Sequence, residues 1–350
     1  MCLRTECVCN NGVYGTQDEA ALRSFVYKTF EFIIKKVRET LPEDVPVVFV
    51  LGNNDSYAGD FLKDTTGLFY TSFLLEEADL AAFTNTYRQG GYYKIEPFQS
   101  RVVFICLNTL LFTAHWSGAE QGSTVPWQQL TWLEETLADA RSKGKKVWLL
   151  MHVPPGADVY GTVNTYMDET GRISDARMMW ERDYQERFME ITRTYREVIE
   201  AGFAGHTHMD EYLVSRPGDK KGPGIILITP GISPVFGNNP AFKVFTMSHE
   251  TWELLDYRSM TYFFGPLTED FVFYYLFSKA YSMETPLEPS LVALISLLPV
   301  DTILRERYTR FYYSGHDEGN KINDINWPAY WCAMGNMDKE DYIDCVNGYR

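Results

Sequence analysis

The chain is short of positive charge. Its 32 lysines and arginines face 47 aspartates and glutamates, a formal net charge of −15. That average field repels nucleic-acid duplexes and anionic membranes, so no nucleic-acid partner is expected. A small anionic substrate is compatible with it where a metal ion reverses the sign locally. Long apolar runs are absent too. The best of them, Ser290 to Val300, is far too short to cross a bilayer, which excludes a transmembrane segment of the usual length. The first twenty residues lack the apolar stretch of a signal peptide, so no export signal is expected in the chain as it stands. Neither an internal repeat nor a low-complexity tract is present, and histidine is scarce at six residues.

With 350 residues and 45% hydrophobic side chains, the chain can bury an ordinary core, and needs neither a disulfide nor a metal merely to fold. Aromatic residues reach 15%, enough to line pockets as well as fill a core. Three of the six cysteines, Cys2, Cys7 and Cys9, crowd the first ten residues. Cys106 sits in the apolar run Val102 to Leu107 and reads as a buried free thiol. Cys332 and Cys345 flank a short polar stretch and could close a small loop in an oxidising compartment, which leans towards an exported protein.

Hydrophobic spacing predicts a helix over Asp18 to Glu39 and a buried strand over Val45 to Leu51, which runs into Gly52-Asn53-Asn54-Asp55. The same alternation recurs downstream. Strand Arg101 to Leu107 ends at Asn108, and a helix over Trp127 to Ala140 precedes strand Lys146 to Met151, which ends at His152. A helix over Tyr184 to Ile199 precedes the short step Phe203-Ala204, which ends in Gly205-His206-Thr207-His208, and Gly224 to Ile228 is a further strand. Strands alternating with helices make an α/β sheet layered with helices. Sites in such sheets lie at the carboxyl ends of strands, which puts Asn53, His152 and His206 on one rim. Phe242 to Met247 and Trp252 to Tyr262 read as an antiparallel pair, and everything from Glu269 onwards reads as helical.

Gly205-His-Thr-His208 is the strongest chemical signal. Two neutral imidazoles one residue apart after a strand are good ligands for zinc, iron or manganese. Gly52-Asn-Asn-Asp55 offers a side-chain oxygen to a hard metal, but it is also a good turn sequence. His152 is held by the prolines that follow it, although alone it could be a satisfied strand-end histidine. His115, His249 and His316 stand outside any motif and read as surface or packing residues.

Taken together, the order and strand-end placement of these motifs resemble the calcineurin-like metallophosphoesterases over roughly Asp18 to Phe245. The wording resembles the acid sphingomyelinase-like phosphodiesterases more closely still. It does so in His152-Val-Pro-Pro-Gly156, Gly205-His-Thr-His-Met-Asp-Glu211, Gly231-Ile-Ser-Pro-Val235 before Asn239-Pro240, and the stretch Cys332 to Cys345 around Asn336-Met-Asp-x-x-x-Tyr342. The resemblance implies an α/β fold, a β-sandwich flanked by helices with a C-terminal helical subdomain. Residues 1–16 form an atypical N-terminal segment, 17–265 the phosphoesterase domain and 266–350 the helical subdomain. It further implies two divalent metal ions, zinc first and manganese or iron as alternatives. Asn53, His152 and His206 would bind one ion and His208 the other. The metals would polarise the phosphoryl oxygens and generate a hydroxide for in-line attack. Asn54 and Asp55 would be catalytic and Asn108 would face the substrate, a small phosphorylated molecule or a lipid headgroup. The family's location is secreted, periplasmic or lysosomal. Nothing in the sequence speaks to oligomeric state.

Two departures set further expectations. The family carries histidine where this chain has Asn54, which can donate a hydrogen bond but cannot deliver a proton. That suits leaving groups needing little protonation, as in an endopolyphosphatase or a nucleotide-pyrophosphate hydrolase. No Asp-x-His or strand-end Gly-Asp precedes Gly52, and Gly59-Asp60 follows the motif instead of preceding it. The first metal-binding segment is therefore expected to be missing. A chain of this kind would hold one metal weakly or none, and a catalytically inactive homologue serving as a binding module is the alternative from another class.

Overall fold

The computed structural model describes residues 19–42, 45–55, 85–96, 101–114, 123–215, 222–265, 270–284, 286–316 and 321–349. Residues 1–16, Cys2, Cys7, Cys9, Gly59-Asp60 and His115 lie outside them. The chain divides into two compact units, Met1–Val153 and Pro154–Arg350.

In the first unit, α1 spans Glu19–Thr40 and α2 Asn85–Gly90. Strands β1 (Tyr93–Ile95), β2 (Val102–Cys106) and β3 (Lys146–Leu150) follow, with α3 (Val125–Ser142) between the last two. β1 pairs antiparallel with β2, and β2 parallel with β3 in the register Val102↔Lys146 to Cys106↔Leu150. β2 is buried along its whole length, as parallel strands covered on both faces are. The run Val45 to Leu51, expected as a strand, has irregular backbone and joins no ladder among the described residues. A β-branched run gives a strand only where a neighbouring strand takes its backbone groups. Here the Tyr93 hydroxyl donates to Phe49 O at 2.6 Å and accepts from Phe49 N at 3.2 Å. Cys106 is buried and free, and burial pushes its thiol up to about 12.

In the second unit, α4 (Val159–Tyr166) and α5 (Arg182–Thr194) precede β4 (Ile199–Ala204), β5 (Glu211–Val214) and β6 (Ile225–Ile228). β6 lies between the other two, parallel to β4 and antiparallel to β5. The helix expected to reach Ile199 stops at Thr194. The apolar spacing Phe188, Ile191, Tyr195, Val198 runs on unbroken, so periodicity alone misses the end. A turn from Tyr195 to Val198 intervenes (Val198 N to Tyr195 O, 3.1 Å) and Ile199 opens β4.

β7 (Ala241–Met247), β8 (Leu254–Thr261) and β9 (Val272–Leu276) form a second, antiparallel sheet. β9 corrects the expectation of helix from Glu269 onwards. Its Val-Phe-Tyr-Tyr-Leu is β-branched and aromatic, and Met260↔Phe273 register it against β8. Residues on both sides of position 265 thus share a sheet. Among the described residues five helices follow: α6 (Phe277–Tyr281), α7 (Leu287–Leu297), α8 (Thr302–Tyr312), α9 (Trp327–Gly335) and α10 (Lys339–Gly348). Asp301 and Asp338 cap α8 and α10 through their side chains. Among the described residues no single helix is long and apolar enough to cross a membrane.

Cys332 and Cys345 form a disulfide that joins α9 to α10 across 13 residues of sequence. A loop of that length constrains the unfolded chain by about 3 kcal/mol. The double variant Cys332→Ser/Cys345→Ser is expected to lose about that much in denaturant unfolding, and dithiothreitol should lower the parent's midpoint while leaving the variant's unmoved.

Candidate active site

Gly52-Asn-Asn-Asp55 is a closed turn in the first unit. Asp55 N donates to Gly52 O at 3.0 Å, and the Asp55 carboxylate returns to accept from Gly52 N at 2.7 Å. Asn53 and Asp55 are buried and Asn54 is half-buried. The turn aims Asn53 at His152, whose Nε2 lies 2.7 Å from Asn53 Oδ1. His152 is completely buried, just beyond β3, where Val153 N donates to Thr109 Oγ1 at 3.0 Å and fixes the chain as it leaves the strand. A side chain at position 52 would crowd both His152 and Asp55. A Cβ there would stand 3.1 Å from His152 Cε1 and 3.2 Å from Asp55 Oδ2. Asn108, expected to face a substrate, is fully buried and its amide donates to Gly90 O at 2.9 Å. Gln129 exchanges hydrogen bonds with its backbone N–H and carbonyl, which locks the exit of β2.

In the second unit, Gly205-His-Thr-His208 connects β4 to β5. His206 and His208 both adopt positive φ, 75° and 69°, a conformation uncommon outside glycine, asparagine and aspartate. Surrounding bonds hold it there: Thr207 N to Gly205 O at 2.9 Å, Gly231 N to His208 O at 2.9 Å and Asp210 N to Tyr312 O at 2.9 Å. His208 is buried, while His206 is half-exposed. His208 Nδ1 faces Ser233 O at 3.3 Å. A proton on Nδ1 bonded to that carbonyl leaves the lone pair on Nε2, the tautomer a metal ligand needs.

Sequence reasoning allowed Asp210 and Glu211 to orient this loop, with a solvated acidic turn as the alternative, but missed Lys243 beneath it. Lys243 on β7 and Asp210 form an ion pair of 2.6 Å with side chains 0% and 2% exposed. Tyr275 donates to the other Asp210 oxygen at 2.6 Å, and Lys243 also donates to Ile228 O at 2.9 Å. The alternation of β7 was the available signal, since it places Lys243 on the same side as Ala241 and Phe245.

Glu211 next to it has a buried Oε1 with no hydrogen-bond partner among the described residues. Burial pushes its carboxyl up to about 7, Asp210 and Asp158 add to the shift, and Thr207 and Lys243 oppose it. The folded state therefore holds this proton more tightly than the unfolded state does. Stability falls as pH rises from the ordinary carboxyl range to about 7, then levels off. Glu211→Gln is expected to be neutral at pH 4 and to raise the unfolding midpoint at pH 8, as read by thermal melts across that range.

Among the described residues no three of His, Cys, Asp and Glu gather as a metal cluster. The donors present nonetheless suit a divalent cation. In the first unit Asn53 Oδ1 and His152 Nε2 lie 2.7 Å apart in a buried place, and in the second unit a proton on His208 Nδ1 shared with Ser233 O would leave Nε2 for a metal.

The calcineurin-like phosphoesterase family matches residues 13–210, more than half of the chain and the stretch that carries Asn53, His152, His206 and His208. The chain belongs to that family, and so to the hydrolases of phosphoric esters. Its relatives narrow the class to the acid sphingomyelinase-like phosphodiesterases. Cyclic GMP-AMP phosphodiesterase SMPDL3A of Mus musculus is 28% identical over 345 residues, 92% of this chain and 72% of the mouse protein. Acid sphingomyelinase-like phosphodiesterase 3b of Homo sapiens is 25% identical over 94% of this chain and 72% of its own length. Sphingomyelin phosphodiesterase B of Dictyostelium discoideum is 27% identical over 74% of this chain and 40% of its own.

Proposed function

We propose that this chain is a metal-dependent phosphodiesterase acting on a small phosphodiester or a lipid headgroup, the class its relatives' names share. The convergence of Asn53 Oδ1 and His152 Nε2 at 2.7 Å carries the metal assignment. As it stands, the imidazole N–H donates to the amide oxygen. With that proton gone, both atoms would hold one divalent cation, zinc in the first instance and manganese or iron as alternatives. His206 and His208 are the second unit's metal donors, with Nε2 of His208 the coordinating atom. A bound divalent ion supplies Lewis acidity towards a phosphoryl oxygen and lowers the pKa of water. The residues of this chain do the remaining work. Asp55 closes the turn that aims Asn53, Asn108 and Gln129 secure the end of β2, and Asn54 offers a hydrogen bond to the leaving oxygen.

Metal content by elemental analysis, alongside turnover of bis-p-nitrophenyl phosphate with zinc or manganese added, tests this reading. Metal-dependent turnover that His206→Ala abolishes supports it. Absence of bound metal and of turnover under both ions rejects it for this chain and favours a binding module. Asn54 favours a second reading, hydrolysis of phosphoanhydrides, whose leaving groups need little protonation. Phosphate release from polyphosphate faster than p-nitrophenolate release from the diester would select it. The Cys332–Cys345 disulfide supports an oxidising location, secreted, periplasmic or lysosomal.

A further inference from the structure

In the loop between β6 and β7, Ser233, Asn238 and Asn239 are buried while Ile232, Val235 and Phe236 are exposed. Asn238 is fully buried and its amide donates to Gly231 O, Ser233 O and Asn239 O, each at 3.1 Å. Asn239 donates to Ser314 O at 3.1 Å, and Gly237 N to Pro234 O at 3.1 Å. These bonds brace residues 231–240 in one conformation. Yet Ile232, Val235 and Phe236 are 44%, 50% and 55% exposed. A single exposed apolar side chain is ordinary, but three within five residues of a braced loop form a patch held in water against the burial free energy of each. The patch adjoins a proposed metal donor. The Phe236 ring meets the His208 imidazole at 4.6 Å between centroids, tilted by 77°.

We infer that this loop is a shelf for a flat aromatic substituent of the phosphodiester, with Phe236 as the specificity-determining residue. The inference rests on the phosphodiesterase reading and deepens it. The occupant is apolar because residues 231–240 carry no charge and Ser233, Asn238 and Asn239 are all turned inward and buried. It is a ring, not a long chain, because the shelf is only three side chains wide. Phe236 is exposed enough for the offset or edge-on packing that aromatic pairs prefer. The bracing removes the ordering cost that a mobile loop would incur on binding.

Two substrates that both release p-nitrophenolate test it: bis-p-nitrophenyl phosphate and methyl p-nitrophenyl phosphate. The ratio of their kcat/KM values cancels general damage to the site. In Phe236→Ala that ratio is expected to fall about tenfold, chiefly through KM of the bis-aryl ester. Phe236→Tyr should retain it and Phe236→Leu should not. An unchanged ratio in Phe236→Ala overturns the shelf, and a ratio preserved in Phe236→Leu overturns its preference for a ring. Should the parent turn over neither ester, the phosphodiesterase reading fails by itself, and calorimetric binding of diphenyl phosphate decides the shelf. Affinity about tenfold weaker in Phe236→Ala sustains it; equal affinity, or no binding to the parent, removes it.

Discussion

Lys243→Met is expected to lower the unfolding free energy by about 3–5 kcal/mol, the cost of leaving one partner of a buried ion pair uncompensated. The ammonium has no access to water. It lies 2.6 Å from Asp210 Oδ1, donates to Ile228 O and stands 4.7 Å from the centre of the Tyr257 ring. Methionine fills much the same volume but leaves the Asp210 carboxylate with the Tyr275 hydroxyl and little else to balance its charge. For a chain of 350 residues the melting temperature should drop by roughly 4–7 °C. The double variant Asp210→Asn/Lys243→Met should recover most of that loss, since a neutral pair leaves no stranded charge. Equal melting of Lys243→Met and the parent would show that the pair contributes nothing. A double variant no better than the single would show that packing, not charge, is at stake.

His152→Gln is expected to reduce kcat/KM towards bis-p-nitrophenyl phosphate by more than about 100-fold, because losing even a residue that only supports a metal ligand costs 10–100-fold. Glutamine is preferred to alanine for this test. Its amide can still donate to Asn53 Oδ1, so the site avoids a buried unpaired oxygen, worth about 1–3 kcal/mol. The melting temperature should therefore stay near the parent's while bound metal and turnover fall together. Activity within threefold of the parent would remove His152 from the ligand set. Lost activity with metal retained would make it a residue that positions substrate.

The motifs around Asn53, His152, His206 and His208 stood out because each follows an apolar run and their order along the chain matches one family, although the run before Asn53 is not a strand. The disulfide was legible from two cysteines flanking a short stretch, and the antiparallel pair β7 and β8 from two apolar segments either side of a polar turn. The Val45 to Leu51 run was misread because strand pairing is a property of two segments, and its own composition cannot say whether a partner takes its backbone groups. The end of α5 was misread because apolar spacing continued across the turn into β4. β9 was missed because aromatic-rich segments suit either a strand or a helix until a neighbour supplies a ladder.

Local pattern by itself determined the chemistry on offer: which imidazoles and amides stand at strand ends, which cysteines can meet, and the shortage of positive charge. Tertiary structure alone decided how those groups are held. It set both histidines at positive φ, gave Ser233 O to His208 Nδ1, turned the Asp55 carboxylate back onto Gly52 and placed Lys243 beneath the loop against Asp210. The physical reason is that side-chain spacing along a strand or helix reports which face is buried. The partner of a buried polar group comes from elsewhere in the chain, 33 residues away for Asp210 and Lys243 and 99 for Asn53 and His152.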